Sequence, residues 1–120
     1  IGQPDLKATI GRLIAYAEAG ADCLYAPAIR DKGQIATVVK ELAPKPINIL
    51  VGSPGLTVAE LADLGVRRIS IGGALARTAW GGFLRAAREI AEKGSFTELA
   101  HAVPHAEINS FFATAAKDRR

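Results

Sequence analysis

Glu18-Ala-Gly-Ala-Asp-Cys-Leu-Tyr25 and Asp63-Leu-Gly-Val-Arg-Arg-Ile-Ser70 follow one plan. Each runs from a helix end through a glycine, a small residue and a polar residue into a strand. The glycine fits the left-handed C-cap that ends a helix. Around these two stretches, helix and strand patterns alternate. Leu6, Ile10, Leu13, Ile14 and Ala17 recur at spacings of three and four, which predicts a helix over 5–18. Asp31, with Gln34 three residues on, starts a second helix striped by Ile35, Val38, Val39 and Leu42, which Pro44 and Pro46 end. Thr57 with Glu60 forms a further capping box, and Gly65 closes that helix. Gly72-Gly73 leads into the longest helix, over about 74–93. Ser95 and Glu98 have the spacing of one more capping box, and Pro104 opens a last helix with Ile108, Phe111 and Phe112.

The strands fall near 22–26, 47–51 and 67–71, beginning about 20–25 residues apart. That is the pitch of βα units, and the strands are nearly continuous apolar runs, as parallel strands covered by helices are. An α/β fold follows, as an open doubly wound sheet or as part of a closed (β/α)8 (TIM) barrel. A whole barrel needs about 250 residues, and this chain has 120. The glycine-rich second and third loops and the helical tail favour the last three units of a barrel. Residues 1–94 would then be a partial barrel, about strands six to eight, and 95–120 a C-terminal helical extension.

Composition narrows the class. The chain is 49% hydrophobic and 22% charged with a formal charge of +3, which excludes a disordered or low-complexity chain. No apolar run reaches the roughly 18–20 residues of a membrane span. The basic residues are scattered apart from Arg67-Arg68 and the tail at 117–120, so nucleic acid is not expected as a partner. The single cysteine, Cys23, suits a small buried hydrophobe, and with no signal sequence in view a cytoplasmic location is expected. The chain holds no Met, and its beginning is expected upstream.

Ligands of parallel α/β proteins sit at the C-terminal ends of the strands. The first loop there offers Tyr25 and Arg30, and the second Gly52 and Ser53. The third offers Gly72 and Gly73 at a helix N-terminus, where unpaired N–H groups and the helix dipole favour an anion. Asn48, inside its strand, either bonds a substrate or satisfies neighbouring backbone. These seven residues are the candidate substrate-binding set. His101 and His105 are separated by Pro104 and do not suggest a metal site. No P-loop, nucleophile elbow or Asp-x-Asp occurs. No residue is given a catalytic or metal-ligating role. Gly81-Gly82 in the long helix suggests close packing against another element.

Three strings carry a resemblance: Ala17-Glu-Ala-Gly-Ala-Asp-Cys-Leu-Tyr-Ala-Pro27, Lys45-Pro-Ile-Asn-Ile-Leu-Val-Gly-Ser-Pro-Gly-Leu-Thr-Val-Ala-Glu-Leu61 and Leu64-Gly-Val-Arg-Arg-Ile-Ser-Ile-Gly-Gly-Ala-Leu-Ala-Arg77. They resemble the C-terminal half of the isocitrate lyase/phosphoenolpyruvate mutase superfamily, over nearly the whole chain. The resemblance implies a (β/α)8 barrel and a magnesium-dependent lyase or mutase acting on a small α-oxocarboxylate through an enolate. It also implies Mg2+ ligands upstream of this chain, and a homo-oligomer that exchanges C-terminal helices. Where isocitrate-type lyases carry Glu and mutases His, this chain has Pro27. The strand-seven Asn of methylisocitrate-type lyases reads here as Leu50, with Asn48 two residues earlier. The superfamily is therefore implied and the particular reaction is not; the segment alone is expected to be inactive. Two other readings stay open: a phosphate-binding aldolase or isomerase barrel, and an inert self-associating fragment.

Overall fold

The computed structural model describes residues 5–117. Its elements are α1 (Leu6–Glu18), β1 (Leu24–Tyr25), α2 (Lys32–Glu41), β2 (Ile47–Leu50), α3 (Val58–Asp63), β3 (Arg68–Ser70), α4 (Ala74–Lys93), a 3-10 turn η1 (Thr97–His101) and α5 (His105–Lys117). The strands form one parallel sheet in sequence order, β1-β2-β3. Order and direction are those the sequence implies, but the paired segments are shorter, because main-chain pairing stops where each strand opens into its loop. Residues 118–120 of the basic tail lie outside the described residues.

The chain divides into two compact units, Ile1–Leu75 and Ala76–Arg120. The expected division at 94/95 separates barrel from extension; the compact units divide earlier, in the first turn of α4. In the first unit, alternate strand residues turn to the helices. Leu24, Ile47 and Ile49 are buried with Leu13 of α1, Ile35 and Val38 of α2 and Leu61 of α3. Each such side chain contributes about 1.5–3 kcal/mol when buried. The register pairs Tyr25 with Asn48 and Asn48 with Arg68, so these three share the opposite face of the sheet.

The helix starts follow their caps. Asp5 accepts from Ala8 N at 3.0 Å and Asp31 from Gln34 N at 2.9 Å. Thr57 and Glu60 form the reciprocal box, with Glu60 N donating to Thr57 Oγ1 at 3.2 Å and Thr57 N donating to Glu60 Oε2 at 2.9 Å. The Thr57 backbone N–H, then its hydroxyl, hold the Glu60 carboxyl below its ordinary pKa. Lys45 Nζ donates to the Ala21 carbonyl at 2.8 Å and ties the approach to β1 to the approach to β2.

In the second unit one expectation fails. Ser95 and Glu98 do not form a capping box; Phe96 stands at the start of η1 with no side-chain cap. Glu89 of α4 takes the role from another element. Its carboxylate accepts from Ser95 Oγ at 2.8 Å, Thr97 N at 3.2 Å, Thr97 Oγ1, and Glu98 N at 2.8 Å. A carboxylate aimed at main-chain N–H groups forms charge-assisted bonds, which a neutral serine hydroxyl does not. At Gly81 and Gly82 a Cβ would meet, among the described residues, only the Arg85 side chain, at 3.6 and 3.8 Å. His101 and His105 lie in η1 and α5, as separate elements.

Two predictions follow from these contacts. Gly65 has φ +88, and a Cβ there would meet Val39 Cγ1 at 2.8 Å, whereas Gly20, at φ +100, faces open space. Gly20→Ala should cost about 1–2 kcal/mol for the left-handed backbone alone. Gly65→Ala should cost roughly 2–4 kcal/mol, because overpacking adds to it; urea unfolding of the two variants measures the gap. The hydrogen bonds from Thr97 Oγ1, Glu98 N and Ser95 Oγ pull the Glu89 carboxyl down from 4.5 to about 2. A depressed carboxylate stabilises fully above its unfolded value and loses that contribution as pH falls toward the folded one. Amide-exchange protection at Thr97 and Glu98 should therefore hold above pH 4.5 and fall away as pH drops toward about 2. Glu89→Gln should lower that protection at neutral pH and remove its dependence on pH over this window.

Candidate functional site

The loops after β1 and β2 enclose an open cleft of about 90 Å³ at the strand ends. Ile29 and Arg30 form one wall, and 51–56, Val-Gly-Ser-Pro-Gly-Leu, the other. Arg30 Nη1 donates to Ser53 Oγ across the mouth at 3.5 Å, a long contact between two exposed side chains. The first loop carries backbone strain: Ala28 sits at φ 71, the left-handed region that costs a non-glycine residue about 1–2 kcal/mol. Such strain persists where the surroundings hold the chain in one shape, and here the strained residue stands two positions before Arg30.

The seven candidate residues do not converge on one point. Arg30, Gly52 and Ser53 line the cleft. Tyr25 and Asn48 lie in register on the sheet face turned from the helices, Tyr25 40% exposed and Asn48 1% exposed. Asn48 Nδ2 donates to Ser70 Oγ at 3.0 Å, while its Oδ1 is buried with no partner among the described residues. Ser70 registers with Leu50 at the strand end, one level above Asn48. Asn48 thus ties β2 to β3 and holds Ser70 there, a residue the sequence pattern did not single out. The signal was available: a polar side chain at the last position of a strand, two residues past Arg68 on the same face.

Gly72 and Gly73 sit above β3 and do not line the cleft. Gly72 has φ +51, so the turn itself requires a glycine. It also packs close to the second strand: a Cβ at Gly72 would lie 3.5 Å from Leu50 Cδ1. The N–H groups that follow open α4, and Ala74 N donates to the Ile71 carbonyl at 3.1 Å. Cys23 is half-buried and free.

The donor set does not fit magnesium. Mg2+ takes oxygen ligands that usually include carboxylates. The carboxylate nearest these loops in sequence, Asp31, is engaged as the α2 cap. No group of three or more His, Cys, Asp or Glu side chains that could hold a metal occurs among the described residues. No helix among them is long and apolar enough to cross a membrane.

The fold recurs in known proteins. A family model described as phosphoenolpyruvate phosphomutase matches residues 2–91. Two Mycobacterium tuberculosis proteins, Rv1998c of strain H37Rv and MT2054 of strain CDC 1551, are 34% identical over 106 residues, 88% of this chain and 39% of theirs. The crystal structure of a Burkholderia cenocepacia J2315 protein described as a lyase/mutase is 52% identical, with a TM-score of 0.85, over 93% of this chain and 41% of that one. Oxaloacetate acetylhydrolase in complex with the product oxalate is 25% identical, with a TM-score of 0.71, over 94% of this chain and 39% of its own. A 2,3-dimethylmalate lyase of the phosphoenolpyruvate mutase/isocitrate lyase superfamily, 19% identical with a TM-score of 0.74 over 98% of this chain and 44% of its own, shares the fold. This chain spans about two fifths of the length of these relatives. The parallel α/β sheet matches the barrel-like fold of that superfamily, and with the family match over 2–91 the chain belongs to the phosphoenolpyruvate phosphomutase family.

Proposed function

We propose that this chain supplies part of the binding surface of a lyase or mutase that acts on a small α-oxocarboxylate through an enolate. One observation carries the proposal: the cationic Arg30 stands with Ser53 over a cleft at the strand ends, where parallel α/β folds bind ligands. A guanidinium matches a carboxylate in shape and charge. Arg30 would hold the carboxylate, with the Ser53 hydroxyl as a second donor. The N-terminus of α4 behind Gly72 and Gly73 would favour negative charge developing on an enolate oxygen. Asn48, through Ser70, would fix the end of β3, with Tyr25 beside it on the same face. Magnesium would be held by residues outside this chain.

The activity belongs to the natural full-length protein. Cleavage of oxaloacetate and of 2-hydroxy diacids, followed by the release of two- and three-carbon acids, tests it. Arg30→Gln should lower kcat/KM about 10- to 100-fold, since a charge-assisted hydrogen bond is worth about 1.5–3 kcal/mol. The loss should appear mainly in KM, the mark of a binding group. The 120-residue chain alone should turn over none of these acids.

The second unit bears on partners. Trp80, Phe83, Phe96, Phe111 and Phe112 are each more than half exposed. Trp80 and Phe83 stack edge-to-face with centroids 5.2 Å apart. Large aromatic surfaces of this kind mark association sites. We propose that α5 packs on a second copy of the chain, with the open Gly81-Gly82 face as a docking surface. Sedimentation at micromolar concentration should show a dimer or larger species, and Phe111→Ser with Phe112→Ser should shift it toward monomer.

A further inference from the structure

Ser70 ends β3 with its hydroxyl engaged on one side only. Its Oγ accepts from Asn48 Nδ2 at 3.0 Å. A serine hydroxyl also has one hydrogen to give. Among the described residues no acceptor takes that hydrogen. Asn48 is 1% exposed, so the donor that orients Ser70 is held by packing. The main chain of Ser70 is held too, its carbonyl accepting from Val51 N at 2.8 Å.

The position of the hydroxyl suits a ligand. Ser70 stands at the C-terminal end of a parallel strand, where such folds bind small molecules. It is half-buried, as is Leu50, its partner in register. Gly72, two residues on, brings no side chain; a Cβ there would already meet Leu50 Cδ1 at 3.5 Å. Donation from Asn48 into the Ser70 oxygen polarises the O–H bond and makes it a better donor. An anionic oxygen gains most from such a donor.

We propose that Ser70 is a ligand-binding residue whose hydroxyl donates to an anionic oxygen of the bound acid. Asn48 is the positioning residue behind it. This rests on the reading of the strand ends as an acid site, and adds a donor on β3 to Arg30 and Ser53.

The test is calorimetric titration of the natural full-length protein with oxalate, whose two carboxylates present anionic oxygens on every side. Ser70→Ala should weaken oxalate about 10- to 100-fold, the range for a hydrogen bond to a charged group. Ser70→Thr should keep most of the affinity. Ser70→Val, of the same shape without a hydroxyl, should match Ser70→Ala. Asn48→Leu should cost about threefold, because the freed hydroxyl spreads over three staggered wells. In the Ser70→Ala background it should cost nothing further, since Asn48 acts only through that hydroxyl. A crystal of the unaltered protein with oxalate, which needs no variant to fold, should place a ligand oxygen within about 3 Å of Ser70 Oγ.

Oxalate that weakens in Arg30→Gln and not in Ser70→Ala overturns the role of Ser70 and leaves the acid site standing. So does a crystal in which oxalate lies beyond about 3.5 Å from Ser70 Oγ. Ser70→Thr no better than Ser70→Ala also overturns it. An equal loss from Asn48→Leu with and without Ser70 overturns the positioning role. Weakening in Ser70→Ala with Arg30→Gln silent upholds Ser70 and overturns Arg30 as the carboxylate anchor. No binding of oxalate overturns both.

Discussion

The layer of side chains shared by sheet and helices is the constraint on which the first unit depends. Leu24, Ile47 and Ile49 face Leu13, Ile35, Val38 and Leu61, and all seven are nearly inaccessible. Side chains alternate along a strand, so a slip of one residue in β2 would turn Ile47 and Ile49 outward and bring Asn48 into that layer. The cost of such a slip fixes the register. Register in turn places Leu50 beside Ser70 and sets the loops that follow at one level. The cleft between Arg30 and Ser53 thus sits at the end of this same layer, with Ile35, Ile49 and Leu61 in its lining.

Order and direction of the strands were legible because they depend on short-range signals. Capping residues, left-handed glycines and apolar stripes each act within about one turn of helix. Asp5, Asp31 and Thr57 cap the helices that the sequence assigns to them. Strand lengths were less legible, since pairing depends on neighbours distant in sequence. The Ser95–Glu98 stretch shows why a motif can mislead. Its spacing is right for a capping box, but the charged Glu89, six residues before Ser95, competes for the same donors and takes them.

The candidate site was legible in its parts and not in its grouping. Arg30, Gly52 and Ser53 come together because their loops follow neighbouring strands. Asn48 was ambiguous between ligand contact and internal bonding, and the structure shows it bonded to Ser70. Its Oδ1 retains an acceptor that is buried without a partner among the described residues. Burying such a group without a partner costs about 1–3 kcal/mol. Gly72 answers first to a backbone requirement, and any ligand near it would exploit a turn that the fold already needs.

The Glu89 carboxylate bears on how freely this part of the chain can diverge. Two of its four donors, Thr97 N and Glu98 N, are main-chain groups, present whatever side chains occupy those positions. Sequence drift at 97 and 98 therefore keeps half of the anchorage, provided proline does not enter. Position 89 has no such latitude, because it alone brings the carboxylate. Among relatives, the turn between the fourth helix and its sequel should survive wide change in its own letters and fail with the loss of one letter outside it. A motif search confined to the turn would miss what holds it.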